Sequence, residues 1–179
     1  EVYKTVKINI KETGENNVEY NLPEKKSRVF EEFYMSSIIN YERSTRSEDY
    51  QTPSILYICG GNSCTNGYFQ DLVEWRHKQG YEVNVIPTSE SGSSETAINN
   101  FISNAYNLWT NPPEIVGLVG DVGGSYNIAC DYYEWGSGWN TYEGASDVRY
   151  TYITGNDLLP EIVIGRISAD SSSDLNNII

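Results

Sequence analysis

Apolar and polar positions alternate twice near the start of the chain. Val6, Ile8 and Ile10 stand against Lys7 and Asn9 within residues 2–10, and Val18, Tyr20 and Leu22 alternate again after a Thr13-Gly14-Glu15-Asn16 turn. A period of two is a half-buried strand, so this opening predicts an antiparallel hairpin that needs a partner sheet. After a charged connection (23–28), Phe30, Phe33, Tyr34 and Ile38 fall at helical spacing and predict a short helix over 29–41. The polar run 42–52 ends at Pro53 and predicts a boundary. The expected division is a β-rich segment plus helix over 1–42, a linker over 43–53, and a second unit over 54–179.

Beyond Pro53 the texture changes. Ile55-Leu56-Tyr57-Ile58-Cys59 is a continuous apolar run ending at Gly60-Gly61, as a central parallel strand followed by a loop requires. Gly67–Gln79 follows as a helix with Phe69, Leu72, Val73 and Arg76 on one face and Gly80 as its stop. Tyr81 to Ile86 is a strand closed by Pro87. Ser93 or Ser94 caps the next helix, with Glu95 in its first turn and a stripe of Ala97, Ile98, Phe101, Ile102, Ala105 and Leu108. Pro112-Pro113 ends it, and Ile115 to Val119 is another buried strand closing at Gly120-Asp121. Strand, helix, strand, helix, strand is the pattern of an open parallel sheet. Val122 to Gly144 reads as a long loop rich in Gly, Tyr and Trp, and long loops inside compact domains are usually functional. Ile162-Val163-Ile164, entered by Pro160 and closed by Gly165-Arg166, is a further buried strand. Ser171 to Asp174 starts another helix, and the chain stops at Ile179, so the domain is expected to continue. Glu1 is not an initiator methionine, so a processed or excised segment is expected.

Composition narrows the partners. A net charge of −13 argues against nucleic acid and anionic membrane, both of which need basic patches. No run approaches the roughly 18 apolar residues of a membrane helix. Hydrophobic content of 39% supports a core and excludes global disorder. The 15 tyrosines suit half-wet recognition surfaces. Three cysteines (Cys59, Cys64 and Cys130) are an odd count; Cys59 and Cys64 are a possible pair, and zinc spacing is absent.

Candidate chemistry gathers where strands end. Asp121 directly follows a buried strand, the place where ligands collect in open parallel sheets. Asp157 and Glu161 lie four apart across the Gly155-Asn156 turn, so both can point at one centre, with backbone carbonyls supplying further oxygens as in calcium sites. The plainer alternative makes Asp121 a loop cap and Asp157 an Asx turn. His77, the only histidine, sits between Arg76 and Lys78 on a solvated helix face, which leaves no evident Cys–His dyad. Gly60-Gly61-Asn62-Ser63-Cys64-Thr65-Asn66-Gly67 lacks the Lys-Ser/Thr ending of a phosphate loop, and Gly120-Asp121-Val122-Gly123-Gly124 is no dinucleotide fingerprint. Tyr126, Tyr132, Tyr133, Trp135, Trp139 and Tyr142 either line a binding cleft or pack on one another.

Taken together, these segments resemble the gingipain family of cysteine peptidases, family C25. Leu72-Val73-Glu74-Trp75 with Lys78-Gln79-Gly80-Tyr81 is similar to a helix end of that family, and Glu114 to Asp121 to its strand ending in Gly-Asp. Ser146-Asp147 through Arg166 resembles its block running from Ser-Asp through Gly-Asn-Asp to Ile-Gly-Arg. The resemblance covers about residues 53–179 and implies a caspase-like α/β/α sandwich with a mostly parallel sheet, of which this chain holds the first subdomain. Residues 1–42 would then be the end of a β-rich prodomain. It also implies a calcium site formed by the carboxylates of Asp121, Asp157 and Glu161 with backbone oxygens of Thr154 and Leu159.

The function implied is part of a secreted cysteine endopeptidase, extracellular or at the cell surface, acting on polypeptide substrates. Its Cys thiolate would attack the peptide carbonyl with a His handling the proton. Neither of those two residues is expected in this chain, which would supply scaffold and a calcium site to the remainder of the catalytic domain and be inactive alone. The alternative is a non-catalytic, calcium-stabilised surface or binding module that uses the aromatic loop. A flavodoxin-like nucleotide binder is a third reading, disfavoured by the acidic balance.

Overall fold

The computed structural model describes residues 26–37, 41–43, 46, 50–137, 140–155 and 158–179. The hairpin expected over 2–22 lies outside these residues. In chain order the elements are α1 (Arg28–Ser37), β1 (Ser54–Cys59), α2 (Gly67–Lys78), β2 (Glu82–Pro87), α3 (Thr88–Ser91), α4 (Glu95–Leu108), β3 (Ile115–Val119), β4 (Asp131–Ser137), β5 (Asn140–Ser146), β6 (Val163–Ile167) and α5 (Ser172–Ile178). Four strands form one parallel sheet in the order β2-β1-β3-β6.

The alternation of side chains along β1 and β3 divides the core in two. Leu56, Ile58, Val116 and Leu118 pack under Ile98, Ile102 and Ala105 of α4. Ile55, Tyr57, Cys59 and Val119 face the other way, against Phe69 and Val73 of α2 and Leu175 of α5. Helices on both faces of a parallel sheet make an α/β/α sandwich, and they explain why every residue of β1 is buried.

Local signals set the helix ends. Asn66 accepts from Phe69 N at 3.2 Å to cap α2, and Ser94 accepts from Ala97 N at 3.2 Å to cap α4. At the far end of α2, Gly80 takes φ +92, Tyr81 N donates to Arg76 O and Gly80 N to His77 O, a Schellman closure.

One expectation changes. The segment 122–144 is not one long loop: β4 and β5 pair antiparallel from Asp131↔Ser146 to Ser137↔Asn140. Tyr and Trp favour extended backbone, and that preference prevailed over the glycines around them. The stretch 43–53, expected as a linker, is anchored where it is described. Tyr50 is buried with its hydroxyl 2.6 Å from the buried Glu31 of α1, and Gln51 N donates to Lys26 O.

Candidate functional site

In the order β2-β1-β3-β6 the connections leaving β1 and β3 diverge to opposite sides. The carboxyl ends of these two strands therefore flank the crevice in which open α/β sheets hold ligands. Here the chain fills that crevice itself. The backbone of Tyr126 lies so close that a Cβ on Gly60 would stand 2.2 Å from its carbonyl oxygen, and a Cβ on Gly120 2.0 Å from it. The two glycines that end β1 and β3 make room for the loop between Asp121 and Cys130, and the space a nucleotide would need is taken by main chain.

That loop is pinned by one cation. Arg166 of β6 donates through Nε and Nη2 to the two carboxylate oxygens of Asp147, at 2.8 and 2.6 Å. Its remaining N–H groups reach the carbonyls of Gly120 (3.2 Å), Ile128 (3.1 Å) and Ala129 (3.3 Å). All five guanidinium donors are thereby used. The side chains are 11% and 20% exposed, so the pair is largely withdrawn from water. Burial lowers the affinity of Arg166 for its proton, but Asp147 outweighs this and the net shift is upward. Tyr150, fully buried, adds a bond from its hydroxyl to Ala129 O at 2.8 Å.

Asp121 stands at this end of the sheet. Its Oδ1 accepts from Val122 N at 2.8 Å and from the Ser168 hydroxyl at 2.9 Å. Those donors, with Arg166 nearby, hold its carboxyl below the usual range. Beside it, the neighbouring Asp174 raises Asp170, and the Ser171 hydroxyl, donating to Asp174 Oδ2 at 2.6 Å, chiefly lowers Asp174. A polar groove of about 760 Å³ opens next to them, between the starts of α2 and α5, lined by Asn62, Asn66, Tyr68, Ser125, Ser172 and Asn176 among others.

Glu161 stands at the other end. Val163 N bonds Glu114 O at the amino end of β3, whereas Gly120 N bonds Ile167 O at the carboxyl end. The five residues of β6, roughly 16 Å of extended chain, therefore separate Glu161 from Asp121. Glu161 Oε2 accepts from Ile153 N (2.7 Å) and Thr154 N (3.3 Å), and Oε1 accepts from Thr154 Oγ1 (2.8 Å). The expected calcium set is thus divided. Thr154 and Glu161 come together, Leu159 lies exposed in the same segment, Asp157 is outside the described residues, and Asp121 cannot join them. Among the described residues no group of three or more His, Cys, Asp or Glu side chains is placed to hold a metal. The sequence spacing that related Asp157 to Glu161 carried no information about the strand that intervenes before Asp121.

His77 is exposed near the carboxyl end of α2. Cys59 and Cys64 lie before the amino end of that helix, about 18 Å away along its twelve residues. No Cys–His dyad forms from these residues. Sequence reasoning missed Arg166 as the organiser of the loop, and Asp147 as its partner rather than one of three acids about a turn. The signal present was a lone arginine ending an apolar strand.

The family model described as peptidase family C25 matches residues 48–179. Gingipain R1 of Porphyromonas gingivalis is 30% identical over 97% of this chain, and gingipain R2 of the same species 29% over 97%. The chain spans only 17% and 23% of the lengths of these two relatives. The crystal structure of the Arg-specific cysteine proteinase gingipain R superimposes with a TM-score of 0.55 at 27% identity, covering 76% of this chain and 28% of that one. A complex of pro- and mature domains of a Porphyromonas gingivalis gingipain gives 0.53 at 27% identity, covering 67% and 26%.

Proposed function

The chain belongs to peptidase family C25, and from that premise we propose that it is the scaffold part of a secreted cysteine endopeptidase whose nucleophile and base are supplied by residues outside it. The observation that carries this reading is the position of the only histidine, exposed near the far end of α2 from Cys59 and Cys64. Thiolate chemistry needs a base within hydrogen-bond reach of the sulfur, and that geometry is missing for this pair. In this reading the remainder of the catalytic domain pairs with the sheet at β6, an edge strand among the described residues, with Val163 and Gly165 facing solvent. An unpaired strand edge is a template for another strand. The substrate class is polypeptide; the arginine specificity named for the solved relative is not carried to this chain. Secretion is supported by the likeness to gingipains, and among the described residues no helix is long and apolar enough to cross a membrane.

Calcium, in this proposal, belongs to the 154–161 turn with Glu161 as a carboxylate ligand, and Asp121 is left out. The ion would neutralise the Glu161 carboxylate; no step of peptide hydrolysis runs through it.

The test of the main proposal is thiol-dependent hydrolysis of a fluorogenic peptide library by the isolated chain. We expect none. Turnover that disappears in Cys64→Ala or His77→Ala would overturn the assignment. A second reading, a binding module without catalysis, draws on the β4–β5 hairpin, which presents Tyr132 and Tyr133 to solvent. It gains ground if the complete gene product also fails to cleave peptides.

A further inference from the structure

Cys59 is the last residue of the central strand β1 and is fully buried. The chain then turns through Gly60–Ser63, closed by Ser63 N donating to Gly60 O at 3.0 Å, and Cys64 comes back over the strand end. The turn has little freedom. Gly60 N is bonded to Val119 O at 3.0 Å, and the Ser63 hydroxyl reaches the same carbonyl at 2.9 Å. Gly61 takes φ +53, where a side chain would be strained, and the Cys64 carbonyl accepts from the Gln70 side chain of α2. The two cysteines pack in one cluster with Tyr57, Phe69 and Val119. Both are free thiols.

We propose that Cys59 and Cys64 are a redox-active dithiol that closes to a disulfide by exchange with a low-molecular-weight disulfide. Both side chains enter one cluster from the two ends of a turn that is otherwise fixed, so closure asks for little movement. The pair is also asymmetric. Cys59 has no exposed surface, while Cys64 is partly exposed beside the polar groove. The neighbouring Cys64 and burial push the Cys59 thiol up, and the influence of Cys59 brings the Cys64 thiol down. A thiolate is the attacking species in exchange, so Cys64 attacks first.

In the first step the Cys64 thiolate forms a bond to one sulfur of the external disulfide; the bond between its sulfurs breaks, and one thiolate leaves and takes up a proton. In the second, Cys59 gives its proton to solvent, and its sulfur attacks Sγ of Cys64. That expels the second external thiolate, which is protonated in turn. The net change is two cysteine thiols oxidised to one disulfide and one external disulfide reduced to two thiols. Cys130 takes no part, because it lies in the other loop, next to Arg166 and Tyr150.

The consequence falls on the carboxyl end of the sheet. The turn that carries Cys64 contributes Asn62, Thr65 and Asn66 to the wall of the groove, so closing the disulfide fixes that wall to the central strand.

The experiment is to incubate the protein with dithiothreitol or with oxidised glutathione, denature it in iodoacetamide, and map the cysteines by mass spectrometry. The expected result is loss of alkylation at both Cys59 and Cys64 after oxidised glutathione, with a linked peptide two hydrogens lighter, while Cys130 stays alkylated. In Cys59→Ala the expected product is glutathione trapped on Cys64; in Cys64→Ala, Cys59 stays alkylated. Unchanged alkylation of the wild type, a lasting glutathione adduct on wild-type Cys64, or a link to Cys130 would overturn the proposal. The wild-type map decides the matter even if either variant fails to fold.

Discussion

The two ends of β6 solve the same problem by different means. At its carboxyl end a buried guanidinium gathers one carboxylate and three carbonyls from separate segments (Asp147, Gly120, Ile128 and Ala129). At its amino end Glu161 gathers two main-chain N–H groups and one hydroxyl, all from the neighbouring stretch 153–154. The first arrangement is long-range and leaves a buried charge behind if broken. The second is local, and its members can turn to water. Charge at the carboxyl end thus positions a whole loop, whereas charge at the amino end shapes one turn.

The largest effect should come from Arg166. Removing one partner of a buried ion pair costs about 3–5 kcal/mol, because the other charge is left without compensation. Arg166→Ala should lower the urea midpoint accordingly, with Asp147→Ala close behind. Replacing both by apolar residues of similar volume should cost less than either single change. A double variant as damaged as the sum of the singles would break the comparison.

Glu161→Gln should cost less, about 1–3 kcal/mol, since an amide nitrogen then faces a donor it cannot pair with. The same variant sharpens the metal proposal. Calcium should raise the melting temperature of the wild type and of Asp121→Asn, but not of Glu161→Gln. A calcium effect that needs Asp121 would mean that the two ends are coupled after all.

The smallest effect is a pH dependence at the amino end. Burial chiefly, with the Glu161 charge adding, raises the Tyr106 phenol from 10.0 to about 12. In the unfolded chain this phenol ionises near 10, while in the fold it stays neutral. The contribution of this phenol to stability should therefore be constant below pH 10 and fall between pH 10 and 12, by linkage of proton binding to folding. Tyr106→Phe should reduce that slope, read from denaturation midpoints across the range.

How much of this could be read from sequence depended on the range of the interaction. β1 and β3 were legible because a strand covered on both faces is apolar at every position, and α2 and α4 because Asn66, Ser94 and Gly80 set their ends with partners at most five residues away. The β4–β5 hairpin was hidden because Gly136, Gly138 and Gly144 read as loop chemistry while Tyr132 and Tyr133 carry the strand preference. The link between Asp147 and Arg166 spans 19 residues and depends on strand order, which no local pattern encodes. The separation of Asp121 from Glu161 was hidden for the same reason. The sequence shows that one acid follows its apolar strand and the other precedes its own, but only the parallel pairing of β3 with β6 puts them at opposite ends of the sheet.

The filled crevice between β1 and β3 makes a forecast for a saturation-mutagenesis library. Gly60 and Gly120 should be nearly intolerant, because even a methyl group at either one collides with the main chain of Tyr126, which has no rotamer with which to yield. Gly67, Gly123 and Gly165, with nothing within 4 Å of an added Cβ, should accept alanine. The fitness map of this domain would then show these two glycines among its sharp minima, marking where the fold gave up side chains so that a loop could close over the sheet.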